Sequence, residues 1–563
     1  MYSSISNLIT TLLLLLLLIM SFSNTIDTVV HCEGISAYWT RGYDNSRTFA
    51  NLNEPILNTS NVNPQQFGKL FSRKVQGQVY AQILYVPNVR MKSDNKVHNV
   101  IYVATMSNNV YAFDAENVEL QEPLWYRNFG KALPLFDNPV GQNCGTFADI
   151  EIEVGIVSTP VIDTQAQTIY FVTKIKNEET GEMRHELNAV DITSGESKSN
   201  SPVIISGQVP GNGSGTVDGI VHFRSSTQLQ RMALSLIDGT VYIGFGGYCF
   251  TPPYHGWLFG YDARSLDRKF MFCATPNGLG GGIWQGSTGI SHDGQHIYMS
   301  TANGDWDGQT EWSSSYLKLD PSKTVKDDTD GLKGHFTAEN GGILDWFTPW
   351  NQKVLGEADL DVGATGVLLI PDSNLMMGCT KYGRCHVMNR DNLGRNQASS
   401  NAIVQDIKPN DKLPEAFGFG VHSSPVTWHS KTKGRLVYIW GAQDNLRALH
   451  TKMSNGRVTE LDMAKSEVAK DQSYVPEFPG GMMSLSANGY NEGTGVLWSY
   501  QAETGNANHE IRPGLLRAFD ANDINRELWN SAMVRDDDYP GLYAKWQVPM
   551  VANGRVYVGT FSH

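Results

Sequence analysis

An all-β fold, an eight-bladed β-propeller of four-stranded antiparallel blades, is what this sequence predicts, and three observations carry the prediction. One hairpin pattern recurs eight times, its alternation has period two throughout, and the last unit repeats the first before the chain stops. The pattern is "IYVATMSNNVYAFDA" at Ile101–Ala115, and it returns as "GRVYVGT" at 554–560. Tyr, Val and Ile at alternate positions, broken by Ser and Asn, mark a β-hairpin.

Aligned on the Tyr of "IYVAT", the units fall at Tyr102, Tyr170, Tyr242, Tyr298, Met376, Tyr438, Leu497 and Tyr557, about 65 residues apart on average. A following strand often ends in Asp, at Asp114, Asp191, Asp262, Asp320 and Asp520. A preceding strand recurs as "GIVSTPVID" before Tyr170, "VHSSPVTWH" before Tyr438 and "WQVPMVANG" before Tyr557. "PLWY" and "ELWN" supply an outer strand carrying Trp125 and Trp529. Such a sheet has two apolar faces, and stacking blades around an axis buries both. The last unit offers an inner strand (Gln547–Val551) and "RVYVGT" but no third strand. Phe67–Val75, "FGKLFSRKV", is expected to pair there as the outer strand and close the ring. The expected boundaries are a signal peptide at 1–23, an N-terminal arm at 24–66 and the propeller at 67–563.

Bulk properties narrow the partners. A net charge of −13 argues against nucleic acid or an anionic membrane surface. Leu8–Phe22, with the unbroken run Leu12–Met20, has the length of a signal-peptide core and is short for a membrane span. Met1–Asn7 contains no Lys or Arg, which leaves a signal anchor as the alternative to cleavage. No later stretch is long and apolar enough to span a bilayer. Secretion, or residence in the secretory lumen, is the expectation, and sequons at Asn58 and Asn212 fit it as glycosylation sites. Six cysteines do not make a disulfide-built scaffold, and their pairing is left open. No Cys-x-x-Cys-His is present, so nothing points to covalently attached haem.

Three stretches exceed blade punctuation. In Gly280–Asp307, the glycines Gly280, Gly281 and Gly282 permit close backbone approach to a flat ligand, and Trp284 adds an apolar face. Glu357–Asp372 brings Asp359 and Asp361, and Lys381–Asp391 opens on the cation of Lys381. Each has a plainer reading: the glycines end a strand, Trp284 plugs the channel, Asn303 is a turn residue, the aspartates cap strands, and Lys381 is a solvated tip. His255 in "PPYHGW" reads as a satisfied loop histidine, and "KDDTD" at Lys326–Asp330 as an exposed insertion.

At these residues the sequence resembles the pyrroloquinoline-quinone (PQQ) dehydrogenases, the quinoprotein alcohol dehydrogenase family of eight-bladed propellers. The resemblance implies that Trp284 lies against the cofactor ring, with the triplet-to-Trp spacing one residue shorter than the family's. It implies that Asn303 and Asp359 bind Ca²⁺, that Asp359 (or Asp361, by a one-residue offset) is the catalytic base, and that Lys381 contacts the quinone. The lines at 112–125 and 518–529 resemble the family's tryptophan-docking motif, in which the Trp is structural. The family's vicinal cysteine pair has no copy, only Cys144 in "NCGTFAD", and "GFGGYCFTPPYHGW" carries no carboxylate where its Ca²⁺-binding Glu belongs. Two functions follow. One is a secreted oxidoreductase that oxidises an alcohol or sugar with PQQ and passes electrons to a soluble acceptor. The other is a non-catalytic propeller that binds a small ligand or a protein at the channel mouth.

Overall fold

The computed structural model describes residues 36–135, 150, 152–249, 251–325, 335, 337, 341–416, 418–470, 473–508 and 510–561. The signal segment, Cys144 and Lys326–Asp330 lie outside them. The described residues form a β-propeller with almost no helix. No helix among them is long and apolar enough to cross a membrane.

Seven sheets have the four-stranded antiparallel blade pattern, the third with its inner edge in two pieces. Blade one is Leu84–Arg90, Val97–Ala104, Asn109–Asp114 and Trp125–Asn128. The others repeat this order, ending with blade seven: Met482–Ser486, Val496–Ala502, Gly514–Asp520 and Asp523–Asn530. Most central strands are buried on both faces, as the apolar runs required; the third strand of blade six, Arg447–Ser454, runs out into solvent at its end. In blade five, Cys379 and Cys385 face each other across the hairpin and are joined as a disulfide.

Two expectations are corrected. There are seven blades, not eight, because the last unit forms only the hairpin Met550–Ala552 with Arg555–Tyr557. Phe67–Val75 forms no strand; it crosses the rim as an irregular strap. Phe67 packs on Trp498 and Trp529, Lys69 N donates to Asp538 Oδ1 at 2.8 Å, and the Arg73 guanidinium donates to Asn117 O at 2.7 Å. The strap makes these polar contacts with the short helix Arg535–Asp538 and with the loop at Asn117, and it pairs with no strand. The repeat alignment also shifts by one in blade seven, where Trp498, not Leu497, stands opposite Ala518.

The ring closes by other means. The second-strand tyrosines reach into the next blade: Tyr102 Oη donates to Ile192 O, Tyr170 to Ala263 O and Tyr438 to Ala521 O. Tyr557 continues the series by donating to Ala115 O of blade one at 2.9 Å. Inside the ring, residues 38–51 touch the blades in turn. Tyr38 bridges Tyr85, Trp39 O accepts from Ile162 N, Asn45 O from His292 N and Ser46 O from Leu369 N. Thr48 O then accepts from Thr427 N, and Ala50–Asn51 pair in parallel with Leu485–Ser486. Arg47, fully buried in this segment, donates to Ile290 O, Arg41 O, Thr40 Oγ1 and Ser235 Oγ at 2.6–2.9 Å. Burial pulls its pKa down to about 10, and these acceptors allow the charge to remain.

Candidate functional site

Four candidates from distant parts of the sequence meet at one point. Lys381, on the tight turn joining the middle strands of blade five, places Nζ 2.7 Å from Asp359 Oδ2 and 3.2 Å from Asp361 Oδ2. Asn303, past the second strand of blade four, donates its backbone N–H to Asp361 Oδ1 at 2.9 Å and its amide to Asp359 Oδ1 at 3.2 Å. The Asn303 side-chain oxygen Oδ1 is buried without a hydrogen-bond partner among the described residues. Asp359 leaves 49 % of its side chain exposed, against 11 % for Asp361 and 10 % for Lys381.

The electrostatics follow from that packing. Burial, then the neighbouring Asp361 charge, raises the Asp359 pKa, with Lys381 opposing both. Burial disfavours the Lys381 cation, but the Asp361 and Asp359 carboxylates outweigh it and hold its pKa above the usual value. Tyr254, from the third-blade loop, has its phenol pushed up by burial, then by Asp361 and Asp359. Asp359 also has left-handed backbone (φ 56°), a conformation that aspartate tolerates better than most residues.

The glycines serve chain packing. Gly281 N donates to Asn303 O, and Gly282 O accepts from Ala302 N, both at 2.8 Å. A Cβ on Gly280, whose φ is +94°, would lie 2.6 Å from Asn303 O. Gly282 and Gly246 bed the Trp284 indole, since a Cβ on either would come within 2.9 Å of it. His255 is held between Thr275 O and Ser214 O at 2.9 Å each, a satisfied loop histidine. Asn212 is exposed, while the Asn58 amide donates to Ile56 O at 3.1 Å.

Sequence reasoning missed what stands over Trp284. The Arg231 guanidinium carbon is 4.5 Å from the Trp284 ring centre and 4.6 Å from that of Trp546. Trp546 itself has left-handed backbone (φ 68°), a strained state for an aromatic residue, and its carbonyl accepts from Arg41 Nη2 at 2.6 Å. His422 stacks 4.6 Å from Phe478, which packs 5.9 Å from Trp546. Burial, then the Lys381 and Arg231 charges, pull His422 down to about 3. His422 and Trp546 stand at the start of the preceding-strand lines "VHSSPVTWH" and "WQVPMVANG", and Arg231 belongs to no such line; nothing in those windows marks the three as neighbours of Trp284.

The donor set does not suit Ca²⁺. The ion wants about 6–8 oxygens, whereas Lys381 already sits on both aspartates. Among the described residues no group of three or more His, Cys, Asp or Glu could hold a metal. A flat ring stacked on Trp284 would need the place Arg231 occupies. As arranged, the residues do not fit the Ca²⁺–quinone pair.

The β-propeller fold is similar to that of a quinoprotein alcohol dehydrogenase. The crystal structure of quinohemoprotein alcohol dehydrogenase from Comamonas testosteroni matches with a TM-score of 0.51 at 16% identity, over 93% of this chain and 76% of that one. A europium-containing methanol dehydrogenase reaches 0.48 at 13% identity, over 89% and 85% of the two chains. BamB from Moraxella catarrhalis reaches 0.34 at 11% identity, over 78% and 91%. No protein-family model and no curated protein matches the sequence.

Proposed function

We propose that this protein is a secreted binding propeller that keeps the quinoprotein fold and fills the cofactor position with its own side chains. The observation that carries the reading is the Arg231 guanidinium shared between Trp284 and Trp546. Cation–π contact on both indoles holds it there, worth about 0.5–2 kcal/mol per face. The acceptor left partly exposed in the Lys381 cluster is the Asp359 carboxylate, so a hydroxyl-bearing small molecule such as a sugar is the ligand class it suits. Secretion is supported by the apolar leader and by the Cys379–Cys385 disulfide, a bond that persists in oxidising compartments. N-glycans at Asn212 and Asn58 belong to the same reading.

A second reading, PQQ-dependent oxidation of an alcohol or sugar with a soluble electron acceptor, is favoured by the convergence of Asn303, Asp359 and Lys381. One titration separates the two: PQQ added to the purified protein with and without Ca²⁺, followed by tryptophan fluorescence and thermal midpoint. The binding reading expects no Ca²⁺-dependent change. Saturable quenching with a Ca²⁺-dependent rise in midpoint overturns it and establishes the pocket for PQQ.

A further inference from the structure

Between the strands Ile297–Ser300 and Tyr316–Leu319 of blade four, the connecting loop reads "NGDWDGQTE" at 303–311. Side chains with oxygen stand at its first, third and fifth positions and glycine at its sixth, the order that opens a calcium loop of the EF-hand type. Gly308 has the left-handed backbone that the sharp turn there demands (φ 71°). Asp307 closes the turn by accepting from the backbone N–H groups of Gln309, Thr310 and Glu311 at 2.7–2.8 Å. Ser314 stands where such a loop carries its last glutamate, and Glu311, at the ninth position, brings the carboxylate instead.

Asn303 gives its amide to Asp359, so the carboxylates left to meet are those of Asp305 and Glu311. They meet over Gly278. A Cβ there would lie 2.7 Å from Asp305 Oδ2 and 3.0 Å from Glu311 Oε2, so glycine is what leaves the two oxygens their common space. Asp305 Oδ2 accepts from Leu279 N at 2.8 Å. Glu311 Oε1 accepts from Asn277 N, Asn277 Nδ2 and Thr310 Oγ1 at 2.9–3.1 Å.

One atom is left over. Glu311 is 6 % exposed, and its Oε2, across Gly278 from Asp305, is buried without a hydrogen-bond partner among the described residues. A buried carboxylate oxygen in that state is costly unless a proton or a cation neutralises it. In the Asp359 cluster Lys381 supplies the positive charge. Here no lysine, arginine or histidine forms an ion pair with Asp305, Asp307 or Glu311 among the described residues.

We infer that Asp305 and Glu311 hold a divalent cation of the hard, oxygen-liganded class, Ca²⁺, with water and backbone carbonyls completing its shell. Two carboxylates are few for the ion, which sets the affinity at the weak end found in extracellular modules, a Kd of about 0.1–1 mM. The ion ties the 303–311 loop to residues 277–279, the turn that leads into Gly280–Gly282. The inference is independent of what the channel mouth binds. It also separates from the quinone titration, since this loop responds to Ca²⁺ alone and a PQQ pocket to ion and quinone together.

The test takes the full chain freed of metal with a chelator and titrates it with Tb³⁺, a Ca²⁺ substitute whose emission is excited through nearby tryptophan. Trp306, between Asp305 and Asp307, is the expected sensitiser. The expected result is saturable emission that Ca²⁺ displaces, with Ca²⁺ alone raising the thermal midpoint. Glu311→Gln, which keeps the size of the side chain, and Asp305→Asn should each weaken Ca²⁺ binding by about tenfold. Asp359→Asn should leave it unchanged. Emission that does not saturate, or Ca²⁺ binding that survives both carboxylate changes at full affinity, overturns the inference, as does loss of binding in Asp359→Asn alone.

Discussion

Lys381→Met keeps most of the buried stem and removes the ammonium 2.7 Å from Asp359 and 3.2 Å from Asp361. At an effective dielectric of about 20 each contact represents about 5 kcal/mol of bare Coulomb attraction. Solvent screens the Asp359 pair, whose carboxylate is half exposed, down to about 0–1 kcal/mol. Asp361 is nearly enclosed, and removing one partner of a buried pair costs about 3–5 kcal/mol, part of which relaxation of the site recovers. The expected net loss at pH 7.5 is about 2–4 kcal/mol. Without Lys381 the burial and the Asp361 charge that raise the Asp359 pKa are opposed only by the Asn303 hydrogen bond, so Asp359 holds a proton to higher pH in the folded state than in the unfolded chain. Stability is therefore greatest below the unfolded carboxylate pKa of about 4 and falls as pH rises through the raised folded value. At pH 4 the deficit should shrink to under about 1 kcal/mol. Urea unfolding followed by tryptophan fluorescence at both pH values measures it. A loss below about 0.5 kcal/mol at pH 7.5, or one unchanged at pH 4, refutes the reasoning.

Tyr557→Phe deletes the hydrogen bond to Ala115 O that ties the last hairpin to blade one. It should cost about 1–2 kcal/mol in urea unfolding, and the loss should speed exchange of the Met550–Tyr557 amides before others. His422 is neutral in the fold, with its pKa drawn down to about 3, so the unfolded chain takes up a proton that the native state refuses. Its contribution is intact above about pH 6.5 and lost as pH falls toward 3. His422→Phe should flatten the acid limb of the stability curve by up to about 4 kcal/mol, read from unfolding midpoints between pH 7 and 4.

The blades were legible because a hairpin is local: Tyr102 and Ala112 pair within one turn of chain, and period-two alternation records that burial in adjacent residues. The convergence of Asn303, Asp359 and Lys381 was legible only through the family resemblance, since nothing in their spacing sets a distance between them. Three features left no local trace. Residues 38–51 look like an ordinary arm, yet their carbonyls and amides are satisfied one blade at a time by partners up to several hundred residues away. Arg231 reads as any cation until tertiary packing sets it against two indoles that lie 53 and 315 residues further along the chain. The strap Phe67–Val75 carries strand-like composition, but its backbone and side chains are held by a helix end at Asp538 and a loop at Asn117 and not by a strand. Strand identity follows from side chains beside each other in sequence. Ring closure and the setting of Arg231 between two indoles are decided by which groups find partners across the whole molecule.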